Sequence, residues 1–404
     1  MHPKIGIIIV SYNSRPYLDD LFFSLSKITY PNFLIVFIDN ASTDGSADYV
    51  KEKFGKQFSN LTILRSYKNL GFAEGNNVGF SYLEERGFDY AYLLNQDTAV
   101  SPDFLERALE KMDEKTGSVQ SLIYLYNSAF FGTPRTPPNP PLERGGKEER
   151  LLEGGGKEER LLASSPEAPA WREKGGMKIN TLGNAIHFLG FGYCYGYGWS
   201  KEKADKYLAD WQKRDSELNI AYPSGAGTFF NMKALKKVGY FDEEFFMYHE
   251  DTDLGWRLRL AGYKNVLAPE SVIHHKYEFS KAVKKYYFME RNRYLTIFKN
   301  YSATMLVLIA PALLVMELGL FIFSLSSGFW REKLRVYEYF LYPKNWSKIC
   351  AKRRRTQKLR KAGDKEISKY FVGKILFQDM DNFILRKIVN PVFNCYWKII
   401  KFFL

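Results

Sequence analysis

Apolar residues along the first hundred positions of this chain follow two alternating rhythms. Ile5 to Val10 and Leu34 to Ile38 are continuous, largely β-branched runs that each end in a polar cluster, the pattern of strands buried on both faces of a parallel sheet. Between them, Tyr17 to Leu25 carries apolar residues at helical spacing. The alternation continues with a strand near Leu61 to Arg65, a helix from about Asn76 and a strand at Tyr90 to Leu94. Repeated in this way, strand and helix predict a doubly wound α/β sheet. Ligands of such sheets bind beyond the carboxyl ends of the strands. Those ends carry "SYNS", "DNASTDGS", "KNLGFAEGNN" and "NQDT", and four polar clusters on one rim predict a site.

The pattern breaks over 133–176, where Pro, Gly and balanced charge dominate and "ERGGKEERLL" is followed by "EGGGKEERLL". A segment this poor in aromatics buries too little surface to offset its ordering entropy, so a disordered insert without a catalytic role is expected. The apolar pattern resumes in "INTLGNAIHFLGFGYCYGYGW", whose glycines and aromatics suggest short strands or a loop near the pocket. Ala303 to Leu325 is long enough to span a bilayer, but Glu317 interrupts it, at a cost of roughly 2.5 to 3.5 kcal/mol on insertion scales. A helix lying at the membrane interface, or inserted shallowly, is the expectation.

Charge sharpens that picture. The net charge is +13, and residues 331–404 hold 19 Lys+Arg against 6 Asp+Glu, so the whole excess lies in the tail. A neutral body with a basic, aromatic tail ("KRRRTQKLRK", then "VFNCYWKIIKFFL") suits an anionic membrane surface. The alternative is a helical subdomain packed on the body or on a second subunit. Nucleic acid is disfavoured, because no aromatic stacking platform interleaves the basic run. Three cysteines (Cys194, Cys350, Cys395) at unpaired spacing fit a reducing compartment. The first residues run straight into a strand with no secretory pattern, so the cytoplasmic face is expected.

Asp39 and Asn40 end the second strand, where a carboxylate can accept from a ribose or base edge, and Ser42 begins a turn; capping of the next helix is the plainer possibility. Asp97 projects from the sheet edge after "YAYLL", and hard divalent cations such as Mg²⁺ or Mn²⁺ accept one or two carboxylates when a substrate's phosphates supply the rest. A lone Asp there also serves as a turn residue. The densest cluster, "GYFDEEFFMYHEDTDLGWRLRLAGYK", puts Asp242, Glu243, Glu244, Glu250, Asp251 and Asp253 among aromatics. Crowding by aromatic rings raises a carboxylate's proton affinity, as a general base requires, although a capped amphipathic helix reads similarly. His274 and His275 follow an apolar strand, where a histidine can complete a cation's coordination or be purely structural.

Taken together, "IIIVSYNSRPYLDDLFFSL", "VFIDNASTDGS", "NLGFAEGNNVGF", "LLNQDTAVSPDFL", "SGAGTFFNMKALKKVGYFDEEFFMYHEDTDLGWRLRLAGYK" and "SVIHHKYEFS" resemble the GT-A, family 2 inverting glycosyltransferases. Within that family the chain is similar to bacterial rhamnosyltransferase-type enzymes of cell-surface polysaccharide assembly. The resemblance covers about Ile5 to Lys299 apart from the insert. It implies a Rossmann-like nucleotide-diphospho-sugar domain over 1–300 and leaves 301–404 as a basic, helical, membrane-associating extension. It implies nucleotide-sugar contacts at Ser11, Tyr12, Asn13, Asp39, Asn40, Ser42, Asn69, Gly71, Asn76, Asn95 and Gln96. Asp97 falls on the last acid of the family's DxD signature, which here reads Asn95, Gln96, Asp97, and His275 falls on its downstream histidine; the two would hold the cation. Asp251 falls on the catalytic base and Glu250 beside it orients the acceptor. Ser224, Gly225 and Ala226, with Tyr248 and Trp256 as ring faces, are the expected acceptor side.

The implied reaction is a single displacement that inverts the anomeric carbon of a UDP or dTDP sugar. A glycan or lipid-linked hydroxyl is the implied acceptor. A nucleotide-sugar-binding protein without transfer activity, and a nucleotidyltransferase, remain the competing expectations. Products separate the two enzymes, because a glycosyltransferase releases a nucleoside diphosphate and a nucleotidyltransferase releases pyrophosphate.

Overall fold

The computed structural model describes residues 2–126, 176–276, 286–375, 383 and 385–404. The expected disordered insert at 133–176 therefore lies outside the described residues but for its last position, as does most of "KYEFS".

Four parallel strands form one half of the main sheet: β1 (Ile5–Ser11), β2 (Phe33–Asp39), β3 (Leu61–Arg65) and β4 (Tyr90–Leu94). They are connected by α1 (Leu18–Leu25), α2 (Ser46–Phe54) and α3 (Gly71–Glu85). Both faces of β1, β2 and β4 are covered, which is why their sequences are largely apolar, whereas the edge strand β3 (LTILR) is only partly buried. Ile7, Ile9 and Phe37 pack with Phe22 of α1 on one side, while Ile8, Val36 and Ile38 pack with Phe80 of α3 on the other. Each such buried side chain contributes about 1.5–3 kcal/mol.

Helix α3 starts at Gly71, earlier than the expected Asn76, because its glycine-rich first turns still wind helically against the sheet. A Cβ at Gly79 would sit 2.5 Å from Ile8 Cγ2, and one at Gly75 would sit 2.9 Å from Val10 Cγ1. Only glycine allows the helix to lie this close.

The other half of the sheet is mixed, where a doubly wound pattern was expected. It adds β5 (Thr98–Val100), α4 (Phe104–Leu109), β6 (Thr116–Leu125) and β7 (Ile179–Thr181), and, later in the chain, β10 (Gly227–Asn231) and β11 (Lys264–His275). The strand order is β3-β2-β1-β4-β10-β6-β11-β5, with β7 beside β6. Strand β10 runs antiparallel between β4 and β6, so its amino end meets the carboxyl end of β4 and the middle of β6. That reversal brings residues 224–226 to the rim carrying 95–97.

A second sheet joins β8 (Asn184–His187), β9 (Gly192–Cys194) and β12 (Phe371–Val372). The "INTLGNAIHFLGFGYCYGYGW" stretch thus supplies the short strands β7, β8 and β9, one of its two expected forms. Helices α5 (Lys201–Arg214), α6 (Met232–Val238) and α7 (Glu250–Leu260) precede α8 (Tyr286–Asn300), α9 (Ala303–Ser326), α10 (Trp330–Leu341), α11 (Pro343–Leu359) and α12 (Asn390–Phe403). Residues beyond 300 are not a separate body: Ile309 of α9 and Trp397 of α12 share one core with Phe188, Trp256 and Tyr301. The basic run on α11 also docks on the body. Lys352 pairs with Asp242 and Glu244, and Arg353 donates to the carbonyls of Phe298 and Tyr301.

Candidate active site

At the carboxyl rim of β1 and β2, Ser11 lies opposite Asp39, which lies opposite Arg65 of β3. The Asn13 N–H donates to Ser42 Oγ at 3.0 Å, the Thr43 N–H to Asn13 Oδ1 at 2.8 Å, and the Ser42 N–H to Asp39 Oδ1 at 3.2 Å. Asp39 and Ser42 therefore hold the turn, but neither caps α2, as their plainer alternative had it: the N-cap is Gly45, with no side-chain cap. Gln96 Oε1 accepts the Tyr12 N–H at 2.7 Å, tying the first strand's end to the "NQDT" cluster, and the Tyr12 ring is 44% exposed.

Several expected nucleotide contacts are differently engaged. The Ser11 hydroxyl is fully buried against Ser14 Oγ, because Ser11 still belongs to the strand. Asn40 is buried and links the rim loops, donating to Asn69 Oδ1 and Gly71 O and accepting from the Leu70 N–H. Asn69 Oδ1 in turn accepts the Gly71 N–H at 2.8 Å. Asn76, inside α3, donates back to Phe72 O at 2.8 Å. These four side chains shape the rim.

Asp97 and His275, far apart in sequence, meet. Pairing of β11 with β5 sets His275 against Thr98, and His275 Nε2 lies 3.3 Å from Asp97 Oδ1 and 3.4 Å from Asn95 Nδ2. On the ring's far side, Nδ1 lies 3.3 Å from Asn180 Oδ1. The ring thus stands between an amide oxygen and a carboxylate, with Nε2 on the side where a cation shared with Asp97 would lie. Among the described residues no group of three or more His, Cys, Asp or Glu is placed to hold a metal. A carboxylate and an imidazole form a two-ligand set, which fits a hard divalent cation completed by diphosphate oxygens. His274 points to the opposite face, stacks on Tyr124 at 5.6 Å and is held down to about 4 by burial, a structural histidine.

The rim continues into residues 224–226, since the Asn95 N–H donates to Ala226 O at 3.1 Å. The Gly225 N–H then donates to Asp251 Oδ2 at 3.3 Å, and the Thr252 N–H to Asp251 Oδ1 at 2.6 Å. Ser224, Gly225 and Ala226 therefore run from Asp97's cluster to Asp251. Glu250 and Asp251 open α7. Burial pushes Asp251 up to about 6, and burial together with Asp251's charge raises Glu250 well above the ordinary carboxylate range. Glu250 Oε2 is buried without a hydrogen-bond partner among the described residues. The arrangement is a pair of adjacent buried carboxyl groups whose proton affinities are both raised, the property a general base requires. Burial, and then the Glu250 charge, lifts the half-buried Tyr248 phenol to about 12, which keeps it a neutral donor near the pair.

Trp256 departs from expectation. It is 1% exposed, with Tyr301 and Phe371 edge-on at 4.7 Å, so no ring face is open to a sugar. The helix directs it into the second core.

Sequence reasoning missed Gln120, whose Oε1 accepts the Ser224 N–H at 2.8 Å, and Asn180 behind His275. Gln120 had a readable signal, as a polar residue inside a buried strand. It also missed Cys194 and Tyr222, where Asp251's charge adds to the effect of burial in raising both groups.

The chain as a whole is similar to known proteins. The family model "Glycosyl transferase family 2" matches residues 6–159, and "Glycosyl transferase family group 2" matches 209–343. The chain belongs to glycosyl transferase family 2, with that family's mixed α/β GT-A-like fold; it is an enzyme that transfers sugar from a nucleotide sugar. It is similar to the N-acetylglucosaminyl-diphospho-decaprenol L-rhamnosyltransferase of Mycobacterium tuberculosis, with 25% identity over 287 residues, 68% of this chain and 77% of the relative. The putative teichuronic acid biosynthesis glycosyltransferase TuaG of Bacillus subtilis is 28% identical over 114 residues, 28% of this chain and 44% of the relative. Among solved structures, mannosyltransferase PcManGT from Pyrobaculum calidifontis, in complex with GDP-Man and Mn²⁺, aligns with TM-score 0.47 and 12% identity over 88% of this chain and 86% of that one. S. aureus TarS 1-349 in complex with UDP aligns with TM-score 0.44 and 16% identity over 98% and 90%.

Proposed function

We propose that the chain transfers a sugar, with inversion, from a UDP or dTDP sugar to a hydroxyl of a lipid-linked glycan at the cytoplasmic face of a membrane, in the building of a cell-surface polysaccharide. The observation that carries this reading is the pairing of Asp251 with Glu250 beside the Gly225 N–H. Glu250, protonated, donates to and orients the acceptor. The Asp251 carboxylate takes the proton of the acceptor hydroxyl as that oxygen bonds to the anomeric carbon. The carbon–oxygen bond to the diphosphate breaks on the opposite face, and its electron pair leaves with the nucleoside diphosphate. A divalent cation, Mg²⁺ or Mn²⁺, held by Asp97 and His275 would neutralise charge on that diphosphate. Tyr12, Asn13 and Asp39 line the nucleotide end.

Replacing Asp251 by Asn tests the reading: transfer falls by about 10²–10⁴-fold while nucleoside diphosphate binding persists. Near-normal turnover would refute it.

The membrane part rests on α9. Val307, Leu314, Val315, Leu318, Ile322 and Leu325 are exposed, whereas Met305, Ile309, Ala312 and Met316 face the protein. Glu317, the residue that argued against a full bilayer span, is turned inward, 2.7 Å from Lys333 Nζ and hydrogen-bonded to the Tyr337 hydroxyl. An exposed apolar stripe with its only acid on the protein side fits a helix lying in the interface. At the end of α12, exposed Phe402 and Phe403 accompany Lys398 and Lys401. Sedimentation with phosphatidylglycerol vesicles, reduced about tenfold by Leu314→Glu plus Leu318→Glu, is the expected result. A protein that ignores such vesicles sinks this half of the proposal.

A further inference from the structure

Asp251 and Glu250 follow a backbone turn that a chain without glycine adopts reluctantly. Phe246, Tyr248 and His249 have φ of 60°, 66° and 67°, and the Met247 N–H closes back on Phe245 O at 2.6 Å, which makes Phe246 the centre of a γ-turn of the strained hand. His249, the residue before α7, provides no side-chain cap. The conformation must therefore be imposed from outside the turn.

One side chain meets most of it. Asn292 of α8 is fully buried, and its Nδ2 lies 2.8 Å from each of Phe245 O, Met247 O and Tyr248 O. Its orientation is fixed from behind, because Asn292 Oδ1 accepts from Arg291 Nε at 3.0 Å and Nη2 at 2.8 Å. With the oxygen facing a guanidinium, the nitrogen faces the carbonyls. Arg291 also donates to Glu244 O, and the remaining carbonyl, Phe246 O, accepts the Phe72 N–H at 2.7 Å and the Ala73 N–H at 3.2 Å from the first turn of α3. The turn is clamped between the donor rim and α8. Further along α8, Asn300 donates to Asp253 Oδ1 at 2.9 Å, so the same helix holds the first turn of α7 from both sides of Asp251.

We infer that Asn292 is a positioning residue for the Glu250–Asp251 pair: its amide gathers three turn carbonyls and thereby fixes where α7 begins and where the Asp251 carboxylate stands. That role in catalysis rests on the reading of Asp251 as the base; the holding of the turn does not. The amide chemistry is specific. A carboxylate of the same shape turns an oxygen toward three carbonyls, and an aliphatic side chain leaves buried carbonyls without a donor.

The test compares full-length wild type with Asn292→Asp, and with Asn292→Gln as a second variant that keeps the donor but moves it. Amide hydrogen exchange reads the turn without any substrate. Exchange over 247–253 should quicken by about tenfold or more while β1 to β4 keep their protection. Turnover is then measured on whichever UDP-, dTDP- or GDP-sugar the wild type hydrolyses. The kcat should fall about 100-fold, with the nucleoside diphosphate Kd changed less than about threefold. A merely structural role would loosen the sheet as well and move kcat and Kd together. Wild-type protection over 247–253 in a folded variant overturns the inference, and so does wild-type kcat with an unchanged pH profile. If the wild type hydrolyses no donor, the proposed function fails and the exchange data still decide whether Asn292 holds the turn.

Discussion

The carboxylates between Asp242 and Asp253 belong to one short stretch of sequence, yet they sit in two opposite electrostatic regions. At the start of α7, burial pushes both Glu250 and Asp251 upward and Asp251's charge raises Glu250 further, with no cation paired to either among the described residues. A few residues away on each side, burial acts in the same direction but is overcome by cations. Lys299 and Lys352 hold Asp242 far below the ordinary range, and Lys299 and Arg257 lower Asp253. Identical side chains and similar burial give opposite titration, so the decisive variable is the partner. Where the fold brings a cation, the carboxylate is architecture. Where it withholds one, the carboxylate keeps its proton affinity for chemistry.

Removing a cation from the paired region is the harshest way to break this comparison. Lys299 lies 2.6 Å from Asp242 and 3.0 Å from Asp253, all three nearly buried. Lys299→Met leaves buried acids short of a partner and should cost about 3–5 kcal/mol of stability in denaturant titrations. A loss under about 1 kcal/mol would mean that pairing does not separate the two groups.

The two adjacent histidines sharpen the same contrast at smaller scale. His275→Ala should raise the concentration of Mn²⁺ needed for half-maximal activity by about 10–100-fold, whereas His274→Phe, on the face stacked against Tyr124, should change it less than about twofold. Equal effects from the two substitutions would remove Asp97 and His275 as a ligand pair.

How much of this was readable beforehand depends on sequence distance. Strands β1, β2 and β4 announced themselves because burial on both faces makes contiguous apolar runs, and the edge strand β3 followed from the alternation. Asp251 was legible through its aromatic and acidic neighbours together with the family's pattern. That Asp242 and Asp253 were architectural was not, because Lys299 and Lys352 arrive 57 and 110 residues after Asp242. Trp256 misled because residues 252–260 of α7 are buried on every side, so no amphipathic face told inward from outward. Glu317 looked like an interruption in an apolar helix until Lys333 and Tyr337 of α10 turned out to face it. Asn292 carried no signal, since three carbonyls converging on one amide are a property of backbone shape.

The smallest effect is the most diagnostic, because its sign differs between the two regions. Asp251's folded value of about 6 lies above its ordinary 3.8, so the folded state gives up that proton later than the unfolded chain does. The difference is absent below the ordinary value, grows as pH rises through the window between the two, and weighs fully against folding above about 6. Asp251→Asn removes that penalty while its amide oxygen can still accept the Thr252 N–H. The variant should therefore be more stable than wild type by on the order of 1 kcal/mol at neutral pH, with the gain vanishing near pH 4. Asp242→Asn should do the reverse: its lowered value contributes stability above the ordinary carboxylate value that is lost only as pH falls through the folded one, so the variant is weaker at neutral pH. Melting curves of both variants across that range decide the matter. If Asp251→Asn also destabilises at neutral pH, Asp251 belongs with the structural acids and the division between the two regions fails.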